Sequence, residues 1–282
     1  MAKKRIILLG NMTKPGVGEQ IEQLRPWFAA QAEVVAVGPA NEPLSQAALA
    51  AELCVVFGGD GTLLSAARML AGTQIDMLGV NMGKLGFLAE YNVEHLRKHF
   101  PAILAGKVPS VERMMLDVNV SNCERHCFGS PVANDVAIAS GPPFRMIDLN
   151  VVQRETVVAH YLGDGLVVST PTGSTGYNMS AGGPILEPTL DAVTITPIAP
   201  HTLSVRPIVV RSDHLIRITA TQVNPGTAVI VDGQVSSDLC DGDTVEVRRA
   251  ASGMRIIPHP GRDFFATLTS KLQWGRSPHH GT

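Results

Sequence analysis

The chain has 282 residues, of which 45% are hydrophobic and 17% charged, a composition typical of a globular protein with a substantial core. This length accommodates one large domain or two ordinary ones. The formal net charge of −2 argues against general nucleic-acid binding, and no run approaches the ~18 apolar residues of a membrane span, so we expect neither nucleic acid nor membrane as a partner.

Cysteine usage and the first residues bear on the cellular compartment. The four cysteines stand at positions 54, 123, 127 and 240 and show no disulfide framework. Cys123 and Cys127 could form half of a metal site, but no second pair matches them, so we expect reduced, structural cysteines. The start with Lys3-Lys4 lacks the apolar stretch of a signal peptide. We therefore expect a cytoplasmic protein.

The first part of the chain alternates short apolar strands with helices. The predicted elements are strands over 5–9, 33–37, 53–57 and 77–80, and helices over 19–32, 45–52, 63–70 and 93–104. Such an alternation indicates a parallel sheet that is covered on both faces. We therefore predict an α/β domain over residues 1–110, in which ligands bind beyond the carboxyl ends of the strands.

The loop between the third predicted strand and the following helix is Gly58-Gly59-Asp60-Gly61-Thr62. Three glycines in four positions allow the backbone to approach a ligand closely and to adopt positive φ angles. Free amides beside a helix N-terminus form a cradle for phosphate. The loop is neither a Walker loop nor the G-x-G-x-x-G dinucleotide fingerprint. It predicts phosphate binding without either of those frameworks.

An acid inside an anion-binding loop is unfavourable unless it has a role. Asp60 can bind a metal, accept a proton from a hydroxyl group, or cap the helix that follows. A tight turn with a capping Asp is the plain structural alternative. The residues of the loop alone leave these interpretations open.

From about residue 111 the pattern changes to short strands separated by turn residues. The strand-like runs are 116–120, 132–138, 149–152, 166–170, 193–198, 207–210, 215–218, 228–231 and 244–247. Helical patterns are scarce between them, so we predict an all-β, β-sandwich-like domain over residues 111–257. Aromatic residues recur after Pro258. The tail, residues 258–282, is therefore predicted to pack back on the first domain.

Two polar segments of the β domain are candidates for ligand binding. Residues 163–184 form a ribbon rich in hydroxyls and glycines, which suits nucleoside recognition by hydrogen bonding and stacking. A Ser/Thr-rich loop that satisfies only its own backbone is the alternative. Asn134 and Asp135 interrupt the otherwise apolar run 132–138, where two adjacent polar residues are costly without a partner. We expect this pair to contact a ligand.

Together these segments resemble the NAD kinases. The resemblance is carried by Gly58–Thr62, by Asp164-Gly165 and by residues 169–177, and matching segments extend in order over roughly residues 53 to 234. The five-residue glycine loop alone is shared with lipid kinases and, loosely, with phosphofructokinases. The ribbon in the β domain makes the resemblance specific.

The resemblance implies a reaction and a set of site residues. The reaction transfers the γ-phosphoryl group of ATP to the 2′-hydroxyl of the adenosine ribose of NAD, giving NADP and ADP. Asp60 would accept the hydroxyl proton, the loop residues Gly58, Gly59, Gly61 and Thr62 would face the phosphates, and Asn134-Asp135 would contact the adenosine. The other implied dinucleotide contacts are Arg145, Asp164, Thr172, Thr175, Gly176, Tyr177, Asn178, Met179, Ser180, Ala199 and Gln234.

The family also implies a Rossmann-like domain followed by a β domain, with the site between them, and assembly as a homodimer or homotetramer. The sequence offers no cluster of acidic metal ligands, so Mg²⁺ is expected to be held mainly by phosphates and water. Asp135 stands where the family usually has Glu, and Gly176 replaces a common Ala. These departures leave the preference between NAD and NADH open, and the sequence does not choose between ATP and polyphosphate as donor.

Two other functions remain compatible with the residues. A lipid or sugar kinase would use the same glycine loop, with an apolar pocket or a sugar site in place of the 164–180 ribbon. A dinucleotide sensor would bind NAD without turnover.

Overall fold

The computed structural model describes residues 3–83, 86–122, 126–202 and 204–275. Lys84, Leu85 and Cys123 therefore lie outside the described residues. The chain divides into two compact units. Among the described residues, the first unit comprises 3–69, 74–111 and 255–275, and the second comprises 70–73 and 112–254. The domain limits expected from the sequence stay predictions.

Strands dominate the described residues. In chain order they are β1 (Arg5–Gly10), β2 (Glu33–Pro39), β3 (Leu53–Phe57), β4 (Asp76–Val80), β5 (Val111–Arg113), β6 (Leu116–Ser121), β7 (His126–Val132), β8 (Asp135–Ala139), β9 (Ile147–Gln153), β10 (Thr156–Gly163), β11 (Gly165–Ser169), β12 (Ala192–Ile198), β13 (Ile208–Arg211), β14 (Ile216–Gln222), β15 (Ala228–Val231), β16 (Val235–Asp238), β17 (Thr244–Arg249) and β18 (Met254–Ile256).

The helices are fewer and lie mostly in the first unit. They are α1 (Val17–Gln31), α2 (Asp60–Met69), α3 (Val93–Leu104), α4 (Tyr177–Ser180) and α5 (Phe264–Leu272), with short 3₁₀ turns at Ala48–Ala50 and Thr172–Thr175. Helix α3 begins after Asn92, whose side chain accepts the backbone N–H of His95 at 2.7 Å and so caps the helix. No helix among the described residues has both the length and the apolarity needed to cross a membrane.

The sheet of the first unit has the strand order β2-β1-β3-β4-β18-β5. Strand β1 pairs in parallel with both β2 and β3, and β4 pairs in parallel with β3 and β18. The order reverses between β1 and β3, which is the switch point where open parallel sheets leave a crevice for ligands.

Both faces of this sheet are covered by helices. Ile6 and Leu8 belong to an apolar core that also contains residues of α1 and α3. Alternate strand residues face the other side. There, a Cβ added to Gly79 would lie 2.6 Å from the side chain of Leu63, so α2 packs closely against β4. This coverage explains why the strands are continuous apolar runs rather than alternating ones.

The second unit consists mainly of two antiparallel sheets. Their strand orders are β10-β9-β14-β17-β6-β7 and β13-β12-β11-β8-β15-β16. One apolar core contains residues from both sheets, including Val118 and Val151 of the first and Val136 and Ile195 of the second. Two sheets that share a core in this way form a β-sandwich-like unit. The predicted fold class, a parallel-sheet unit joined to an all-β unit, is confirmed.

Several predicted boundaries were wrong. Helix α2 begins at Asp60 rather than Leu63, because the loop residues themselves form its first turn. The single strand predicted over 132–138 is broken, since β7 ends at Val132 and β8 begins at Asp135. Strand β10 and helix α5 were not predicted from the sequence.

Candidate functional site

The glycine loop lies at the carboxyl ends of the parallel strands. Strand β3 ends at Phe57, and α2 begins three residues later. The N–H of Gly58 donates to the carbonyl of Val80 at 2.9 Å, and the N–H of Asn11 donates to the carbonyl of Phe57 at 3.2 Å. The ends of β1, β3 and β4 therefore lie side by side at the point where the strand order reverses, as the sequence led us to expect.

Gly58 is required at its position by two separate constraints. Its φ angle of 156° lies in the range that side-chain-bearing residues rarely adopt. A Cβ built on it would also lie 2.3 Å from Oγ1 of the buried Thr62. Thr62 thus packs under the loop. By contrast, a Cβ built on Gly59 would meet no atom of the described residues within 4 Å, so within this part of the chain the loop is open there.

Asp60 is bound to a second loop of the first unit. Its Oδ2 accepts the N–H of Phe87 at 2.8 Å, and its Oδ1 accepts the N–H groups of Leu88 and Ala89 at 3.1 and 3.0 Å. These bonds join Asp60 to residues 27 to 29 positions away, not to the first turn of its own helix. The helix-cap interpretation therefore does not describe how this carboxylate is used.

The bonds of Asp60 also limit what else its carboxylate can bind. An ionised carboxylate has about four acceptor positions, two on each oxygen. Three of them take backbone N–H groups, two on Oδ1 and one on Oδ2. Oδ2 is thus the oxygen with capacity for a further donor.

Gly86 belongs to the same arrangement. A Cβ built on it would lie 1.8 Å from Oδ1 of Asp60, which is far inside any real contact distance. Its N–H donates to the carbonyl of Ala89 at 3.2 Å, which closes the turn that presents the three N–H groups. The glycine at position 86 is therefore explained by the carboxylate that it faces.

In the second unit, Asn134 and Asp135 lie where β7 gives way to β8. Asn134 Oδ1 is buried and accepts no hydrogen bond from the described residues. Thr172 Oγ1, in the segment that follows β11, is likewise buried and unpaired within the described part of the chain. Buried polar atoms without partners are rare, and a ligand is one way to satisfy them.

The segment after β11 packs directly on Asn134. A Cβ on Gly173 would lie 2.2 Å from the Asn134 carbonyl oxygen. One built on Gly176 would lie 3.6 Å from Asn134 Nδ2 and 3.7 Å from Asp135 Oδ2. The structure thus brings the predicted pair together with the predicted ribbon.

The side chain of Asn178 is used inside the unit. Its Nδ2 donates to the carbonyls of Ser174 and Pro184 at 3.1 and 2.9 Å. Its Oδ1 accepts the hydroxyls of Thr194 and Thr196 at 2.8 and 2.6 Å. All four hydrogen-bonding positions of this buried amide are therefore occupied. A side-chain contact with a dinucleotide, as predicted, would require some of these bonds to break.

Three other predicted residues form a separate group. Arg145, Asp164 and Ala199 are exposed, and the N–H of Asp164 donates to Ile198, the residue before Ala199. The N–H of Ser140, which opens the loop that carries Arg145, donates to the carbonyl of Asp164. In the antiparallel pair of β8 and β11, Asp135 lies opposite Ser169 at one end and Ala139 lies opposite Gly165 at the other. Asn134 is next to the first end, whereas this group is at the second. Four residues of strand span roughly 14 Å.

The remaining predicted residues vary in exposure. Tyr177, Ser180 and Gln234 are exposed, whereas Thr175, Gly176 and Met179 are partly buried. Gln234 lies in the turn after β15, where its N–H donates to the carbonyl of Val231. Two residues before it stands Asp232, which was not predicted as a site residue. Its carboxylate accepts the N–H of Asn134 at 2.7 Å, a contact between residues 98 positions apart that no sequence pattern reveals.

Asp135 is a buried acid beside a second acid. Asp135 is 5% exposed. This burial raises the pKa of its carboxyl to about 7, and the negative charge of Asp232 is a second cause. The carboxyl therefore changes charge near neutral pH. Below about 7 it can donate a hydrogen bond, and above that it only accepts.

We predict that Gly86→Ala lowers the free energy of unfolding by about 1–3 kcal/mol, because the added methyl group must displace the Asp60 carboxylate or the loop and break some of their hydrogen bonds. Urea unfolding measures the effect. The matched control is Gly83→Ala, where the added Cβ would make an ordinary contact with Asn81 Oδ1, at 3.8 Å, and meet no other atom of the described residues. Equal stability of the two variants would contradict the prediction.

We predict that Asp135→Asn changes how stability depends on pH. Because the folded pKa of about 7 lies above the ordinary value of 3.8, the folded protein binds an extra proton between these values. The stability supplied by this group therefore falls as pH rises through that range. Asn does not titrate, so the variant should gain on the order of 1–3 kcal/mol relative to the native protein between pH 5 and 8. The prediction would be contradicted if the difference in unfolding free energy between the variant and the native protein stayed constant from pH 5 to 8.

Comparison with known proteins gives a consistent result. The protein-family model described as "ATP-NAD kinase N-terminal domain" matches residues 31–108. The family model described as "ATP-NAD kinase C-terminal domain" matches residues 133–259. The NAD kinase of Trichlorobacter lovleyi is 45% identical over 226 residues, which cover 80% of this chain and 79% of that protein.

Solved structures agree in fold. An Archaeoglobus fulgidus NAD kinase in complex with ATP is 27% identical, with a TM-score of 0.75 over 95% of this chain and 98% of that one. Yeast NADH kinase complexed with NADH has a TM-score of 0.88 over 100% of this chain and 91% of that one, at 22% identity, which shows the fold alone. From the two domain models and the relative at 45% identity, we conclude that the chain belongs to the ATP-NAD kinase family.

Proposed function

We propose that this protein is an NAD kinase, which transfers the γ-phosphoryl group of ATP to the 2′-hydroxyl of the adenosine ribose of NAD and gives NADP and ADP. The observation that carries the proposal is that both ATP-NAD kinase domain models match the chain in order. The open glycine loop at the switch point of a parallel sheet supports it independently.

The glycine loop is proposed to bind phosphate. Gly58, Gly59, Gly61 and Thr62 lie at the N-terminus of α2, where the helix dipole favours negative charge. The lack of any atom within 4 Å of a Cβ at Gly59 leaves room for a phosphate to approach the backbone there. Phosphoryl transfer requires mainly such positioning and charge stabilisation.

Asp60 is proposed to accept the proton of the attacking hydroxyl. The three N–H groups of residues 87–89 fix the carboxylate, so it need not be reoriented when the substrate binds. Oδ2, with one of these bonds, is the oxygen that takes the proton. As the ribose oxygen forms its bond to the γ-phosphorus, the bond from that phosphorus to the β–γ bridging oxygen breaks and ADP leaves.

The acceptor dinucleotide is proposed to bind the second unit. Asn134 Oδ1, which has no partner among the described residues, accepts a hydrogen bond from the adenosine. The Thr172 hydroxyl, which also has none, forms a second hydrogen bond with the adenosine. Asp135 Oδ2 lies near the same segment, and the exposed ring of Tyr177 provides a stacking surface. Further contacts are proposed for Arg145, Asp164, Thr175, Gly176, Met179, Ser180, Ala199 and Gln234. Asn178 contributes by holding the 174–184 segment in place.

Mg²⁺ is proposed to enter with the nucleotide. Among the described residues, no group of three or more His, Cys, Asp or Glu side chains is placed to hold a metal ion. Mg²⁺ commonly keeps several waters and binds substrate phosphates with few protein ligands, which fits such a site. The ion would supply charge neutralisation on the phosphates, while the chain's own residues position the substrates.

A homodimer or homotetramer is proposed as the working assembly. Edge strand β10 exposes half of Val157 and 41% of Leu162, and edge strand β13 exposes 48% of Val209. Apolar edge strands invite pairing with another chain, and homo-oligomers are the common outcome. Light scattering of the purified protein should give a dimer or tetramer mass. A monomer at assay concentrations would contradict this. A cytoplasmic location is proposed with it.

The proposed reaction is tested by incubating the protein with NAD, ATP and MgCl₂ and measuring NADP by an enzymatic cycling assay. We expect NADP to appear only when all three are present, and parallel reactions with NADH and polyphosphate establish substrate preference. Binding of NAD without NADP formation would favour a sensor. Absence of both would favour a kinase for another acceptor.

We predict that Asp60→Asn lowers kcat by ~10²–10⁴, because an amide does not accept the hydroxyl proton. NAD binding should remain within about threefold of native, since the proton acceptor contributes mainly in the transition state. The structure adds a cost in stability: an amide cannot accept all three N–H groups, so unfolding should be easier by about 1–3 kcal/mol.

Gly86→Ala is the control for that loss of stability, since it strains the same contacts and keeps the carboxylate. Its kcat should fall much less than that of Asp60→Asn. A folded Asp60→Asn protein with near-native kcat would contradict the role of Asp60 as proton acceptor.

A further inference from the structure

Asp232 lies in the turn after β15, with the backbone in the left-handed region at φ 50°. Apart from glycine, Asn and Asp are the residues that adopt this conformation most readily. The residue is only 8% exposed. A buried carboxylate is costly unless hydrogen bonds compensate for its lost hydration. The contacts of Asp232 show where that compensation comes from.

The carboxylate accepts three successive backbone N–H groups. Oδ2 accepts that of Ala133 at 3.2 Å, and Oδ1 accepts those of Asn134 and Asp135 at 2.7 and 3.2 Å. The N–H of Asp232 donates in return to the carbonyl of Asp135 at 2.9 Å. Four hydrogen bonds therefore tie one residue to the break between β7 and β8.

This break cannot hold its shape by sheet pairing alone. Ala133 and Asn134 belong to no strand. The carbonyl groups of this break bind Thr170. Its hydroxyl donates to the carbonyl of Ala133 and its N–H donates to the carbonyl of Asn134, both at 2.8 Å. On the N–H side, the described partner is Asp232. The backbone of residues 133–135 is thus fixed from both sides, and its direction determines where the two polar side chains point.

We propose that Asp232 is a positioning residue for the acceptor dinucleotide: its carboxylate holds the backbone of residues 133–135 so that the side chains of Asn134 and Asp135 face the nucleoside. The proposal rests on the proposed function, since it takes NAD as the ligand of this pair. Both side chains lie within 4 Å of a Cβ built on Gly176, which is the direction that the proposal requires.

The charge of Asp232 has a second effect on the same pair. After burial, it is the second cause that raises the pKa of Asp135 to about 7. Removing that charge therefore lowers the pKa of Asp135 while leaving its burial unchanged. The pH dependence of NAD binding should therefore report whether that charge is present.

The test is Asp232→Asn, assayed for NAD binding by calorimetry and for steady-state kinetics. The amide presents an N–H group to a backbone N–H group, so at least one of the three bonds is lost. We expect the Kd and KM for NAD to rise roughly tenfold, with kcat and the KM for ATP changing by less than about threefold. The inflection in the pH profile of kcat/KM for NAD should move to lower pH.

The matched control is Asp243→Asn. Asp243 is also a buried carboxylate in a turn of the second unit, where its Oδ2 accepts the N–H of Cys240 at 2.9 Å. We expect this variant to lose thermal stability to a similar degree while the KM for NAD stays native. If Asp232→Asn does not fold, Asp232→Gly takes its place, since glycine adopts the positive φ without strain and lacks the carboxylate.

The proposal would be overturned if the variant kept the native KM and Kd for NAD. It would also be overturned if kcat fell and the KM values for NAD and ATP rose together. Failure of the proposed function would look different. If the native protein binds NAD without phosphorylating it, the proposed function fails. The role of Asp232 is then still decided by comparing the Kd for NAD of the native protein and of Asp232→Asn. A native protein that binds no NAD overturns both proposals.

Discussion

In each of the two units, a carboxylate accepts three successive backbone N–H groups beside predicted site residues. In the first unit, Asp60 binds the N–H groups of residues 87–89. In the second, Asp232 binds those of residues 133–135. In both places the backbone leaves regular structure and its N–H groups need partners. The charged acceptor supplies several strong bonds at once and fixes the loop.

The fold explains why such acceptors are needed near the ligand. Strand ends and breaks are where a parallel sheet or a β-sandwich can expose backbone and polar side chains to a substrate. The same positions lack the regular hydrogen bonds that hold the rest of the chain. The loop after β4 and the break before β8 are of this kind. The carboxylates of Asp60 and Asp232 replace the missing bonds, and glycines such as Gly86 and Gly173 allow the close approach that this packing requires.

Local pattern was sufficient to predict much of this architecture. The apolar strands, the glycine loop and the change of texture near residue 111 follow from periodicity and turn chemistry, because these depend on neighbours in the sequence. The contacts of Asp60 and Asp232 join residues 27 and 98 positions apart, and no local pattern contains them. The ligand contact that the family resemblance implies for Asn178 stays a prediction; within the unit, its amide binds Ser174, Pro184, Thr194 and Thr196.

The two departures from the family pattern acquire a common physical meaning in the structure. Asp135 is one methylene shorter than the usual Glu, and Gly176 lacks the methyl group of the usual Ala. Asp135 Oδ2 lies 3.7 Å from the position of that missing methyl group, so both changes remove atoms from the same place. An alanine at 176 would make only an ordinary contact with Asp135, so the glycine is not needed to accommodate the shorter acid. Both departures therefore lie on the side that we propose faces the nucleoside.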